Sequence, residues 1–219
     1  MCKEYEEGVA FILEGNTEKE FYIALLNFLC EKYQTSFKRQ IKNKTSPDIV
    51  YSIKTHNGVF LIKFNVANAI SQVPHSGNWF LSQCCKKYPE IDKWNVFLCY
   101  DTDCYKEDIS KFNKGDWESL RKQLSKKAHK ITDIAAAADI EDLFLQDINS
   151  ISNFLGSPTS LNIPTGRKGK TKMKKLYRLM NKTYHEGERA RDMIKALNMQ
   201  LIIDSNFVPL KAIELAIFK

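Results

Sequence analysis

An unbroken apolar run from Val9 to Leu13 stops at Glu14-Gly15 and gives way to another rhythm, with Phe21, Leu25, Phe28 and Leu29 at helical spacing. So short a run predicts a buried strand, and the change of period predicts a helix after a sharp turn. Thr17 is placed to cap that helix, with Glu20 three residues on to complete a capping box. A second strand end of the same kind follows downstream, where Val96 to Tyr100 runs into Asp101-Thr102-Asp103. Between them, Asp48–Lys54 reads as a strand closed by the turn His56-Asn57-Gly58 and preceded by the basic segment Lys38–Lys44. Ile62, Val66, Ala69 and Ile70, then Trp79, Phe80 and Leu81 beyond Pro74-His75-Ser76-Gly77, predict a helix, a break, and a second helix ending before Pro89.

Residues 116–130 predict an amphipathic helix with Leu120 and Leu124 inward and Arg121, Lys122, Lys126 and Lys127 outward. Ile131–Ala138 predicts a further strand, running into Asp139-Ile140-Glu141-Asp142, with Asp147 after it. Strands alternating with helices imply an α/β fold: roughly four strands in a mostly parallel sheet, with helices on both faces, over residues 1–155. Past Leu155 the composition shifts to linker-like Gly156–Thr159 and Asn162–Gly166, and then to a basic stretch. Helical patterns near 171–183, 187–198 and 206–217 make 156–219 a basic loop and helical C-terminal extension, expected to pack on the first unit.

Composition narrows the class. With 43% hydrophobic and 27% charged residues in 219, the chain can bury a core and is not disordered. No apolar run is long enough to span a bilayer and Met1–Glu7 is no signal peptide, so a cytoplasmic protein without a membrane partner is expected. The six cysteines form no C-x-x-C pair and the four histidines have no paired spacing, which disfavours a zinc site, a disulfide frame or a Cys-His nucleophile. A net charge of +7 beside acidic strand ends favours a polyanionic partner.

Asp101 and Asp103 stand two apart in extended chain and project the same way. If their strand neighbours the first one, they converge with Glu14 and Glu18, and four such carboxylates call for a cation. An all-oxygen set favours Mg²⁺ or Mn²⁺ over Zn²⁺.

Glu14-Gly15-x-x-Glu18 after one apolar strand and Asp101-x-Asp103 after another resemble the Toprim domain, over roughly residues 8 to 147. Glu18 in place of Asp, and the small size, look more like the OLD (overcoming lysogenization defect) and RloB-type defence nucleases. The resemblance implies a Mg²⁺-dependent nuclease, with metal ligands at Glu14, Glu18, Asp101 and Asp103 and a further carboxylate after the last strand, at Glu141 or Asp142. It also implies a lysine reaching the site from downstream, for which Lys170, Lys172 and Lys174 are candidates. Action in phage defence or on a mobile element, alone or with a separate ATPase subunit, would follow, and a homo-oligomer is left open.

Gly169-Lys170-Thr171 ends like a phosphate loop, but Pro164 stands where the first glycine belongs and no strand precedes it, so an ATPase site is disfavoured. Arg167, Lys168, Lys170, Lys172, Lys174, Lys175 and Arg178 instead make a cationic loop and helix suited to nucleic-acid phosphates. The alternative is a non-catalytic nucleic-acid- or nucleotide-binding regulator or sensor subunit on a Toprim scaffold.

Overall fold

The computed structural model describes residues 4–41, 48–102 and 114–219. β1 (Glu7–Leu13) is buried from Gly8 onward, covered on both faces, which is why its sequence is continuously apolar instead of alternating. After it come α1 (Asn16–Lys32), β2 (Phe37–Ile41), β3 (Ile49–Thr55) and β4 (Gly58–Val66). A short α2 (Ser76–Trp79) continues as a π-helical turn over Phe80–Cys85 and leads to β5 (Lys93–Asp101), α3 (Lys114–Leu124) and β6 (Ala128–Ala136). The remainder is helical: α4 (Ile140–Phe144), α5 (Ile148–Leu155), α6 (Gly169–Leu179), α7 (Arg191–Ala196), α8 (Met199–Asp204) and α9 (Lys211–Phe218).

The strands form one six-stranded sheet in the order β2-β3-β4-β1-β5-β6. β4, β1, β5 and β6 run parallel, while β3 lies antiparallel to β4 and β2 antiparallel to β3. On one face, α1 packs Phe21, Leu25 and Leu29 against Val9, Phe11, Leu13, Phe97 and Cys99. On the other, Phe80, Cys84, Leu120 and Leu124 cover Ala10, Ile12, Val96, Leu98 and Tyr100. Phe11 ties the layers together, its ring 5.3 Å from Phe97, 5.4 Å from Tyr22 and 5.1 Å from Phe64. Truncation there would cost about 3–5 kcal/mol.

The sheet has six strands, not four. β2 was hidden by its polar sequence Phe-Lys-Arg-Gln-Ile, which suits an edge strand with half its side chains in water. β4 replaces the helix expected from Ile62 and Val66, because pairing with β1 on one side and β3 on the other overrides a coincidental helical spacing. Its buried Lys63 interrupts the apolar run and is matched by Asp48, which also accepts from Tyr88 and Lys87. α3 ends at Leu124 instead of Lys130, and β6 begins at Ala128.

The capping box of α1 does not form. Gly15 is the N-cap residue, and Thr17 Oγ1 accepts from the Gly187 N–H at 2.8 Å while Glu20 takes Arg191. Partners from the far end of the chain win over the local ones.

Residues beyond 156 share the sheet's core: the apolar cluster that holds Val9 and Phe11 also holds Met173, Ile194, Ile202 and Ile213. Asp147 stitches this together, accepting from Ser150 N at 3.2 Å as the cap of α5 and from Asn198 N at 2.7 Å.

Candidate metal centre

The register pairs Leu13 of β1 with Cys99 of β5, so Glu14, just past β1, and Asp101, the last residue of β5, come together at the carboxyl ends of neighbouring strands. α1, which follows β1, packs on one face of the sheet, and α3, the next described helix after β5, packs on the other. Adjacent parallel strands with connections on opposite faces make a topological switch point, the crevice where open α/β sheets bind ligands.

Glu14, Glu18 and Asp101 each bring a carboxylate oxygen into one group whose members lie within 4.8 Å of one another. Glu18 reaches it from the first turn of α1, and the Asp101 N–H donates to Glu14 Oε2 at 3.3 Å. Among the described residues, no lysine or arginine forms an ion pair with any of the three. Asp101 Oδ1 is buried without a hydrogen-bond partner. Burial is the main reason that Asp101 titrates well above the usual carboxylate range, and the charges of Glu18, Glu14, Glu141 and Asp139 add to it. Glu18 is pushed up to about 7 by burial and by Glu14 and Glu186, against hydrogen bonds from the backbone of Glu18 and Gly15. An all-oxygen group with an unmatched buried lone pair fits a hard divalent cation.

Asp103 lies outside the described residues. Glu141 is 3% exposed and follows β6 at the same sheet edge, where Ala136 pairs with Asp101 and the Ala138 N–H donates to Thr102 Oγ1 at 3.1 Å. Its charge acts on Asp101, though it is not one of the three whose oxygens meet. Burial and Asp139 raise its carboxyl to about 7, opposed by the hydrogen bond from Tyr184. Asp142 has partners outside the trio: Oδ2 accepts from Gly169 N at 2.8 Å, and Oδ1 pairs with Lys172 Nζ at 2.7 Å. Asp139 caps α4 through Asp142 N and accepts from Lys170 N at 3.1 Å.

The start of α6 is therefore filled by carboxylates, which removes it as a phosphate cradle. Gly169 is needed there because a Cβ would collide with the Asp142 backbone and the Asp139 carboxylate. Of the three candidate lysines, Lys170 is the one facing the acidic site: its ammonium pairs with Glu186 at 2.5 Å and also feels Glu141 and Asp139. Lys172 is drawn in by Asp142, and Lys174 is exposed. Arg167, Lys175 and Arg178 are exposed and Lys168 is half-buried, with Lys175 Nζ donating to Thr165 O at 2.6 Å.

All four histidines are exposed, and Cys30, Cys84, Cys85 and Cys99 are free thiols. Tyr184 and Glu186 were not anticipated as site residues. Glu186 had one faint signal, as the first acid after the basic run.

Fold and site together define an α/β protein with a mostly parallel six-stranded sheet and a carboxylate cluster at its switch point. The chain matches no protein-family model and no curated protein. Among solved structures it is similar to a hypothetical protein from Pyrococcus horikoshii OT3, with a TM-score of 0.44 and 11% identity over 95% of this chain and 99% of that one. That likeness is too low to assign a fold family or a function. No helix among the described residues is long and apolar enough to cross a membrane.

Proposed function

We propose that this chain is a Toprim-type phosphodiesterase that uses Mg²⁺ or Mn²⁺ to hydrolyse DNA or RNA. The observation that carries the proposal is the meeting of Glu14, Glu18 and Asp101 within 4.8 Å at the switch point, with a buried Asp101 oxygen left unmatched. When bound, the cation supplies Lewis acidity at a phosphoryl oxygen of the substrate.

The protein groups divide the remaining work. Glu14, Glu18 and Asp101 would hold the cation together; Glu18 is 5% exposed and Asp101 has one oxygen sealed from solvent, so Glu14 is the carboxylate left to reach a water beside it. Glu14 is therefore the group to orient the attacking water and take its proton. Lys170 brings positive charge beside Glu141 and Asp139, where it offsets negative charge developing on the phosphoryl oxygens. Arg167, Lys174, Lys175 and Arg178 offer exposed cations to the phosphates of a polymer. Lys172 pairs with Asp142, so Lys170 is the lysine preferred for offsetting the developing charge. A place in phage defence, alone or with a separate ATPase, goes with the Toprim and OLD resemblance.

Cleavage of single-stranded DNA, duplex DNA and structured RNA by the parent and by Asp101→Asn tests this. Cutting that stops with chelator, returns with Mg²⁺ or Mn²⁺, and is absent in the variant is expected. Equal cutting by Asp101→Asn would sink the proposal. Binding of a nucleoside triphosphate with no polymer cut would favour the regulator alternative.

A further inference from the structure

Residues 184–191 of the C-terminal extension make four contacts around the acidic site. Tyr184 Oη donates to Glu141 Oε1 at 2.9 Å, and Glu186 pairs with Lys170 at 2.5 Å. The Gly187 N–H donates to Thr17 Oγ1 at 2.8 Å from a left-handed backbone with φ +66°, which glycine adopts freely. Arg191 forks onto Glu20, with Nε to Oε2 at 2.7 Å and Nη2 to Oε1 at 3.1 Å. Thr17 and Glu20 flank Glu18 in sequence. Tyr184 alone of the four touches a carboxylate of the acidic site itself.

The Tyr184 donor is rigid. Its side chain is buried, and its ring packs edge-on against Tyr177 with centroids 5.2 Å apart, so packing sets the position of the hydroxyl independently of Glu141. Burial and the neighbouring Glu141 charge keep the phenol protonated. Glu141 in turn acts on both Asp101 and Lys170. A buried carboxylate with a fixed donor on one oxygen is held in one orientation, and residues that hold metal-site groups in this way govern affinity as strongly as some ligands do.

We propose that Tyr184 is a positioning residue of the metal centre, acting through Glu141, so that the site is completed by the C-terminal segment. This rests on the metal reading given above. The ring stays in place in Tyr184→Phe, so folding, checked by circular dichroism, is retained.

Mn²⁺ titration followed by electron paramagnetic resonance on the parent, Tyr184→Phe, Glu141→Gln and the double variant tests it. Tyr184→Phe is expected to weaken Mn²⁺ binding about tenfold. In the Glu141→Gln background the same change is expected to have no further effect, because the group it acts through is already altered. Parent-like affinity in Tyr184→Phe, or the same loss in both backgrounds, overturns the assignment and leaves the metal reading standing. A parent that binds no Mn²⁺ overturns both.

Discussion

Asp48 and Asp101 are both carboxylates drawn into the interior, and they meet opposite surroundings. Asp48 receives Lys63, Lys87 at 2.7 Å and Tyr88 at 2.8 Å. Burial alone would raise its carboxyl, yet those hydrogen bonds hold it at about 2. Asp101 has a buried oxygen with no partner and lies among like charges that push its titration upward. One carboxylate is neutralised within the chain. The other has no positive partner among the described residues, and that asymmetry is what the proposed metal site rests on.

Substitution should split the two regions cleanly. Asp101→Asn is expected to lower nucleic-acid cleavage at least about a thousandfold, ~4 kcal/mol in the barrier. In chelator the same variant should melt higher than the parent, because one repelling charge is gone. A lower melting temperature would show that Asp101 is structural. Asp48→Asn should do the reverse: about 3 kcal/mol of stability lost in urea unfolding, since Lys63 is left buried and unpaired, with Mn²⁺ affinity unchanged.

The pH dependence of the two regions also runs in opposite directions. Asp48 titrates at about 2 against an ordinary 3.8, so it favours the folded state above 3.8 and loses that contribution as pH falls through about 2. Glu18 is raised from 4.5 to about 7, so in the folded protein it resists ionisation and destabilises the metal-free fold progressively from pH 4.5 up to 7. Melting curves in chelator should therefore fall across that interval, and saturating Mn²⁺ should flatten the fall. A metal-free melting temperature that rises from pH 4.5 to 7 would contradict the electrostatics of the site. The smallest effect belongs to the outer cations: Lys174→Ala or Arg178→Ala should each reduce the salt slope of nucleic-acid binding by about 1.

The strand ends were readable because their signals are local. An apolar run followed by Glu14-Gly15, and another followed by Asp101, need no distant residue to be recognised. β4 departs from the expected helix because Ile62, Val66 and Ala69 fall at helical spacing by coincidence, while pairing with β1 and β3 decides the strand. The Thr17 cap failed for a related reason, since Gly187 supplies its partner from 170 residues away. Tyr184 lay beyond sequence reasoning altogether: its target Glu141 is 43 residues upstream, and nothing in the surrounding Thr-Tyr-His-Glu suggests a donor to a buried carboxylate. The basic run was visible as charge, but its division was not. Lys170 faces the acidic site and Lys172 is held by Asp142 because α6 begins against α4, a packing fact.

The central claim is that Glu14, Glu18 and Asp101 hold one divalent cation. Crystals soaked in Mn²⁺ and measured for anomalous scattering test it most directly. A single strong peak at about 2.1 Å from oxygens of all three residues is predicted. No peak there, with Mn²⁺ bound only at surface carboxylates, would contradict it.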